Sequence, residues 1–442
     1  MFRRKVYDEL VKWKRSSQGR TALLIEGARR VGKSTVVEEF AKNEYRSYIL
    51  IDFAFASKQV RELFEDVSDL DYLFLQLQLQ YGVRLFNRES LIVFDEVQLC
   101  PLARQAVKRL VQDGRYDYVE TGSLISIKRN TTGILIPSEE QKLQMHPMDF
   151  EEFRWVLGDN ATIPLLRQAF EAHAQLGEQT NRKLMRDFRL YMLVGGMPQA
   201  VDAYLSTNNL QEVDQTKRTI ISLYEDDFHK IDPSGAVSRL FDAIPAQLAK
   251  KASRYQVSSI LANRQASDLI EELSELRESK TVLFAHHVSD PNVGMSATVD
   301  LEKFKLYLAD TGLFVTLMFK DAGFTENIVY DRLLSDKLPV NLGAVYENVV
   351  AQELAAQGNG LFYHTWEKEG AHRNYEIDFV LSRGKKICPL EVKSSSYKTH
   401  ASLDAFALKY PSRIGDQYLV YTKDQHKSGA ISCIPTYMAR FI

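Results

Sequence analysis

The stretch ALLIEGARRVGKST, residues 22–35, decides how the rest of the chain is read. Apolar Leu23, Leu24 and Ile25 lead into Gly27, GARRVGKS fits the spacing GxxxxGK[ST], and Val36, Val37 and Phe40 then take up a helical spacing. Strand, glycine loop and helix in that order make a phosphate cradle. Glycines let the backbone curl until its N–H groups converge, and the helix N-terminus adds positive potential. In such a loop the lysine, here Lys33, reaches the β- and γ-phosphates, and the Ser34 hydroxyl joins a Mg2+ shell. The expected nucleotide contacts are Gly27, Ala28, Arg29, Arg30, Val31, Gly32, Lys33, Ser34 and Thr35, with ATP and Mg2+ as cofactors.

Working outward, LIVFDEVQ (residues 91–98) reads as a second strand. Four apolar residues in a row suit a strand buried on both faces of a parallel sheet. Asp95 stands at its C-terminal end, where open α/β sheets bind ligands, and is expected to hold Mg2+ directly or through water. Glu96 follows and is expected to polarise a water against the γ-phosphate. A third strand, YDYVE, runs into Thr121-Gly122-Ser123, whose hydroxyls can sense the γ-phosphate or the attacking water.

The remaining 300 or so residues leave room for one or two further domains at roughly 150 residues each. Hydrophobic residues are 45% and charged residues 26% of the 442, an ordinary globular balance. No apolar run approaches the ~20 residues of a membrane span. MFRRKVYDELVKWKRSSQGR is charged and amphipathic and lacks the apolar core of a signal peptide, so a cytoplasmic location is expected. Cys100, Cys388 and Cys433 have no CxxC spacing and read as buried thiols. A net charge of -2 gives no global attraction to nucleic acid, which would have to bind local patches.

Residues 160–235 carry helical patterns interrupted by Gly195-Gly196 and Pro198, and LYEDDFHKID near their end, with Tyr224, Asp226 and Asp227, faces either solvent or the nucleotide, solvent being the favoured reading. Residues 235–300 alternate helix and turn before a strand, TVLFAHHVS. The segment ASDLIEELSELRES presents Asp268, Glu271, Glu272 and Glu275, charges that DNA repels, so it reads as a packing or protein-contact helix. His286 and His287 are neighbours on a strand, point to opposite faces and are not a metal pair.

Near the end stands YEIDFVLSRGKKICPLEVKSS, residues 375–395, two strands about a Gly384-Lys385 turn that suits type II′. With Arg383 opposite Lys386, counting back sets Asp378 against Glu391 and Glu376 against Lys393. One face then carries Ile377, Phe379, Leu381, Leu390 and Val392, and the other three carboxylates and a lysine. Facing acids repel unless a cation lies between them, and either Lys393 or Mg2+ could supply it. Two readings follow: a metal site, or a solvated hairpin face with an internal ion pair.

GARRVGKST, FDEVQ, ETGS and HPMDFEEF together resemble a large prokaryotic family of AAA-type ATPases. The resemblance runs on through VGGMPQAV (194–201), KLYLADTGL (305–313) and GAVYENVVAQEL (343–354), nearly the whole chain. It implies ATPase roles for Lys33, Ser34, Asp95, Glu96 and Ser123, a helical linker with a winged-helix-like part, and a C-terminal domain resembling the PD-(D/E)XK nucleases. There Asp378 and Glu391 would hold a metal with Glu347 as a further carboxylate, and Lys393 would orient the water. One departure stands out. Relatives carry a Gly-Arg pair before the HPMDF-like segment, a candidate arginine finger, whereas no arginine lies between Arg129 and Arg154 here.

The expected fold is α/β: an AAA-type P-loop domain over 1–158, a helical and winged-helix-like middle over 159–300, and an α/β PD-(D/E)XK-like domain over 301–442. The expected function is an ATPase controlling a Mg2+-dependent nuclease-like domain that acts on DNA or RNA. The alternative is a nucleotide-dependent switch whose C-terminal domain only binds a protein or nucleic-acid partner. A homo-oligomer is among the expected assemblies.

Overall fold

Apolar β-runs of the N-terminal part pair side by side at the centre of a parallel sheet, where both of their faces are buried. The computed structural model describes residues 1–122, 138–250, 252–321, 330, 334–335, 343–368, 370, 374–394 and 399–442. They form two compact units, Met1–His146 with Glu278–Lys280, and Pro147–Arg277 with Thr281–Ile442.

In the first unit the strands are β1 (Ala22–Glu26), β2 (Ser47–Asp52), β3 (Ser90–Asp95), β4 (Asp117–Gly122) and β5 (Glu140–Gln144). Their order is β2-β3-β4-β1-β5, all parallel. Putting β4 between β1 and β3 brings the ends of all three to one edge. Ile25 pairs with Thr121, and Phe94 with Glu120. Every residue of β1, β3 and β4 is buried, which explains the unbroken apolar runs of β1 and β3. The helix Lys33–Glu44 buries Val36, Val37 and Phe40, as their spacing predicts. The helix Lys5–Ser17 buries Val6, Leu10 and Trp13, at helical spacing.

In the second unit the helical expectation for 160–235 is met by helices Thr162–Glu171, Glu178–Val194, Pro198–Thr207 and Leu210–Ile231. LYEDDFHKID divides within the last of these: Tyr224 and Phe228 are buried and Asp226 is exposed. The segments HPMDF, VGGMP and LADTG pack together through their backbones. Met148 N–H donates to Gly196 O (2.8 Å), Gly196 N–H donates to Asp310 Oδ2 (2.5 Å), and a Cβ on Gly312 would lie 2.5 Å from Gly195 Cα. Only glycine fits there. Asn348 and Gln352, on the helix Gly343–Ala356, bond the Leu308 and Thr311 backbone of the same region.

The strand expected to close the middle domain behaves differently. Strands β6 (Val282–Val288) and β7 (Val299–Leu308) pair antiparallel, and β6 also pairs parallel with β8 (Leu361–Trp366) in a sheet completed by β9 (Tyr375–Ile377), in the order β7-β6-β8-β9. The division expected at residue 300 therefore falls inside β7, and Pro147 opens the second unit twelve residues before the start expected at 159. A register shift separates His286 from His287, which stacks against His364. The other sheet is β10-β11-β12-β14-β13, built from β10 (Phe379–Arg383), β11 (Lys386–Val392), β12 (Gln417–Tyr421), β13 (His426–Ser428) and β14 (Ile431–Pro435).

The 375–395 hairpin corrects part of its own reading. Arg383 pairs with Lys386 and the ladder runs to Phe379 opposite Leu390, with Gly384 at φ 58°. There it stops. β9 (Tyr375–Ile377) leaves the hairpin at Asp378 and pairs with β8, so Glu376 lies opposite Thr365 rather than Lys393. The break also reverses the alternation: Ile377 joins Val380 and Ile387 in one core cluster instead of siding with Phe379 and Leu381. Phe379, Val380 and Leu381 are all buried, so the expected polar face does not extend along β10. The three cysteines are free and buried.

Candidate functional site

The first site forms where β1, β3 and β4 end. Gly27 is required by space, since a Cβ would lie 2.4 Å from Met145 O. Gly32 opens the helix Lys33–Glu44 at φ 97°, a left-handed value glycine adopts without penalty. Lys33 Nζ donates to Gly27 O (3.0 Å) and Ala28 O (3.1 Å), so the ammonium is held inside the loop. Burial pushes this amine below the usual lysine range, while Glu96 and Asp95 pull it upward. Ser34 Oγ donates to Asp95 Oδ1 (2.8 Å), and Thr121 Oγ1 donates to the same oxygen. Glu96 stands at φ 52°, which turns the chain sharply off β3, and accepts from Gln98 Nε2. A left-handed non-glycine residue costs on the order of 1 kcal/mol, a cost often found at functional positions.

Arg29, Arg30 and Thr35 are exposed on the loop and first helical turn, and Ala28 and Val31 are buried within it. Ser123 and Arg129, the last arginine before the gap that ends at Arg154, lie outside the described residues. Thr121, the described hydroxyl of TGS, meets Asp95.

The second site lies in the C-terminal part. A cavity of about 400 Å3 is bordered by Glu347, Asp378, Glu391 and Lys393, with Glu376 and Lys305. The kink between β9 and β10 turns the Asp378 carboxylate onto the Val392 N–H (2.7 Å), a donor at the end of β11. Lys393 pairs with Glu391 (3.1 Å) and donates to Thr399 O, so it is not partnered by Glu376 as the counted register implied. Sequence reading missed the residue at the centre. Lys305, from β7, bonds Glu347 (2.9 Å) and Glu376 (2.5 Å), and Tyr307 two residues on donates to Glu347 (2.5 Å). The only signal was KLYL, an alternating strand whose inward positions carry a lysine and a tyrosine.

Burial drives the Asp378 carboxyl well above the usual range, reinforced by Glu347 and Glu376 and opposed by Lys305. Burial also raises Glu391, against the pull of Lys393. The Lys305 ammonium is buried yet held well above the usual lysine range, because Glu347, Tyr307 and Glu376 outweigh desolvation. Glu391 Oε2 has no hydrogen-bond partner among the described residues. Among those residues no group of three or more His, Cys, Asp or Glu side chains is placed to hold a metal ion, so Glu347, Asp378 and Glu391 do not form a ready chelate. Glu347 is drawn to Lys305 and Tyr307 instead. A wider cleft of about 810 Å3, lined by Arg182, Arg189 and Lys423 among others, holds none of the expected site residues.

Residues 19–154 match the family model described as an AAA domain. Residues 185–325 and 342–437 match two domains of unknown function, DUF8612 and DUF4143. Among solved structures, the chain is similar to the Walker-type ATPase PABY2304 of Pyrococcus abyssi at 15% identity and a TM-score of 0.43, over 72% of this chain and 96% of that one. The Aeropyrum pernix ORC1 protein in complex with DNA is 11% identical with a TM-score of 0.28, over 76% of this chain and 93% of that one. The Thermotoga maritima RuvB Holliday junction branch migration motor is 11% identical with a TM-score of 0.29, over 64% and 89%. Likeness at these TM-scores carries no functional argument. No curated protein matches the chain. No helix among the described residues is long and apolar enough to cross a membrane. Residues 19–154, which carry the glycine loop and the parallel sheet, are thus similar to an AAA domain.

Proposed function

We propose that this chain binds MgATP, hydrolyses it slowly, and uses its nucleotide state to govern the C-terminal carboxylate cavity. One observation carries the reading: Lys33, Ser34, Asp95 and Thr121 converge at one edge of a parallel sheet. Loop N–H groups and Lys33 take the phosphates, so Lys33 exchanges loop carbonyls for phosphate oxygens. The Ser34 hydroxyl and Asp95 carboxylate, 2.8 Å apart, are an oxygen pair that fits Mg2+ and would hold it. When bound, the ion neutralises phosphate charge. Glu96 orients the attacking water, and Ser123 reads the γ-phosphate.

Slow turnover follows from the missing Gly-Arg pair, since an arginine finger is worth ~10³-fold or more. Basal hydrolysis well below the ~10 s⁻¹ typical of enzymes is expected unless an oligomer or partner protein supplies the charge. Isothermal titration with ATP tests the site. Lys33→Ala should lose most affinity, whereas Glu96→Gln should bind normally and hydrolyse more slowly. Unchanged affinity in Lys33→Ala would remove the assignment.

For the C-terminal domain we infer a PD-(D/E)XK-like site acting on DNA or RNA, in a cytoplasmic protein. Its support is that Glu347, Asp378, Glu391 and Lys393 border one cavity, on elements ordered helix, β8, β9–β10, β11, helix, β12. The donor set fits a metal only in part. Asp378 and Glu391 would hold it, while Glu347 is engaged by Lys305. That ion pair favours a second reading, in which the domain binds a partner without cleavage. Cleavage of DNA and RNA with Mg2+ or Mn2+ separates them: cleavage abolished by Asp378→Ala supports the nuclease, and none under any condition supports the binding module.

A further inference from the structure

The N-terminal segment contains a residue that the nucleotide chemistry above does not use. Arg4 precedes the helix Lys5–Ser17 in extended backbone and is only 5% exposed. Its guanidinium spans two carbonyls far apart in sequence. Nη1 donates to Val31 O (2.8 Å), inside the glycine loop, and Nη2 donates to His146 O (2.6 Å), just beyond β5.

The contact with Val31 has a geometric consequence. A trans peptide is planar, with its C=O and N–H pointing in opposite directions. Val31 C=O and Gly32 N–H belong to one peptide, so a donor that fixes the first fixes the second. Gly32 is also the residue most free to turn: it stands at φ 97° and accepts from Val36 N–H (3.1 Å) at the start of the helix. Without an anchor, the 31–32 peptide could flip and present a carbonyl where a phosphate oxygen must sit. The Arg4 guanidinium supplies that anchor. Its charge behind the loop also adds to the positive potential that a phosphate meets.

The contact with His146 ties the loop to β5. Met145 N–H donates to Glu26 O (2.7 Å), and Met145 O packs where a Cβ on Gly27 would stand. Glu26, Gly27 and Val31 are thereby held to residues 145–146 from both ends of the loop.

We propose that Arg4 is a positioning residue of the nucleotide site, orienting the Val31–Gly32 peptide so that the Gly32 N–H faces phosphate. This rests on the ATP-site reading above. It assigns part of that site to a residue more than twenty positions before the loop.

Isothermal titration of the full chain with ATP and ADP tests it. Arg4→Met keeps the length and removes both bonds; hydrogen bonds to a charged group predict about a tenfold or greater loss of affinity for either nucleotide. Arg4→Lys reaches one carbonyl at a time and should fall between. Leu10→Ala, which loosens the packing of the same helix, should lower Tm and keep wild-type affinity in the folded protein. Wild-type affinity in Arg4→Met, or in Arg4→Lys where Arg4→Met does not fold, overturns the proposal, as does an equal loss in Leu10→Ala. If the wild-type chain itself binds no nucleotide, the ATP-site reading fails and takes this inference with it.

Discussion

The Ser34 hydroxyl lies 2.8 Å from the Asp95 carboxylate, although 61 positions separate the two residues. Asp95 Oδ1 also accepts from Thr121, so one oxygen gathers the ends of three elements: the helix after the loop, β3 and β4. The charge on that oxygen, rather than its shape, is what a divalent ion would use. Asp95→Asn keeps the shape and removes the charge. We expect ATP affinity measured with Mg2+ to fall about tenfold, equivalent to ~1.4 kcal/mol, towards the value measured in EDTA. An unchanged ratio of the two affinities would exclude Asp95 from the Mg2+ shell.

Arg440 is buried against three carboxylates, Asp149 (3.1 Å), Glu151 (2.9 Å) and Glu353 (3.5 Å). Removing one partner of a buried ion network leaves uncompensated charge and costs about 3–5 kcal/mol. Arg440→Met should therefore lower the urea midpoint of the C-terminal unit markedly. A shift within the error of a surface substitution such as Arg182→Met would mean that these carboxylates are not relying on Arg440.

Burial raises the Asp378 and Glu391 carboxyls in the folded protein. A carboxyl that binds its proton more tightly when folded contributes its stability fully below the unfolded value of ~4, and loses it as pH rises through the raised folded value. At neutral pH, in the absence of divalent cations, Asp378→Asn should accordingly raise Tm. The expected size is a few degrees, the scale of ~1 kcal/mol in a domain of ~150–250 residues. The gain should shrink as pH falls from the raised folded value and be gone by about pH 4. Thermal melts across pH 4–8 decide it, and a Tm lowered at neutral pH would show that the charged carboxylate is favourable in the fold.

Lys305 and Glu347 are 2.9 Å apart and both approach Tyr307 or Glu376 as well. Lys305→Met, Glu347→Gln and the double variant form a cycle. Coupling of about 1–3 kcal/mol is expected from chemical denaturation, with the double variant less destabilised than the sum of the singles. Additive costs would show that the two groups act independently.

GxxxxGKS and an unbroken apolar run ending in Asp-Glu were enough to read the glycine loop, its helix and the buried strand before Asp95 from sequence, because each follows from local order. A strand, a glycine turn and a helix start lie within 14 residues, and the phosphate cradle is made from their own backbone. The hairpin turn was legible for the same reason: Gly384 sets it, and the ladder from Arg383–Lys386 to Phe379–Leu390 follows by counting.

What failed lay where a strand changes partners. At Asp378 the chain leaves β11 for β8, and nothing in YEIDF marks that exchange, since Tyr, Ile and Phe suit either sheet. Glu376 consequently meets Lys305 instead of Lys393, and the alternation of buried faces reverses at one residue. Arg4 and Lys305 were invisible for a related reason. Each is a charged residue beside an ordinary pattern, and a charge shows its use only when folding brings it to carbonyls or carboxylates tens to more than a hundred positions away. Backbone chemistry local in sequence determined the phosphate loop; long-range pairing, which selects among several near-equivalent apolar partners, decided how the carboxylates are shared out and which cations hold them.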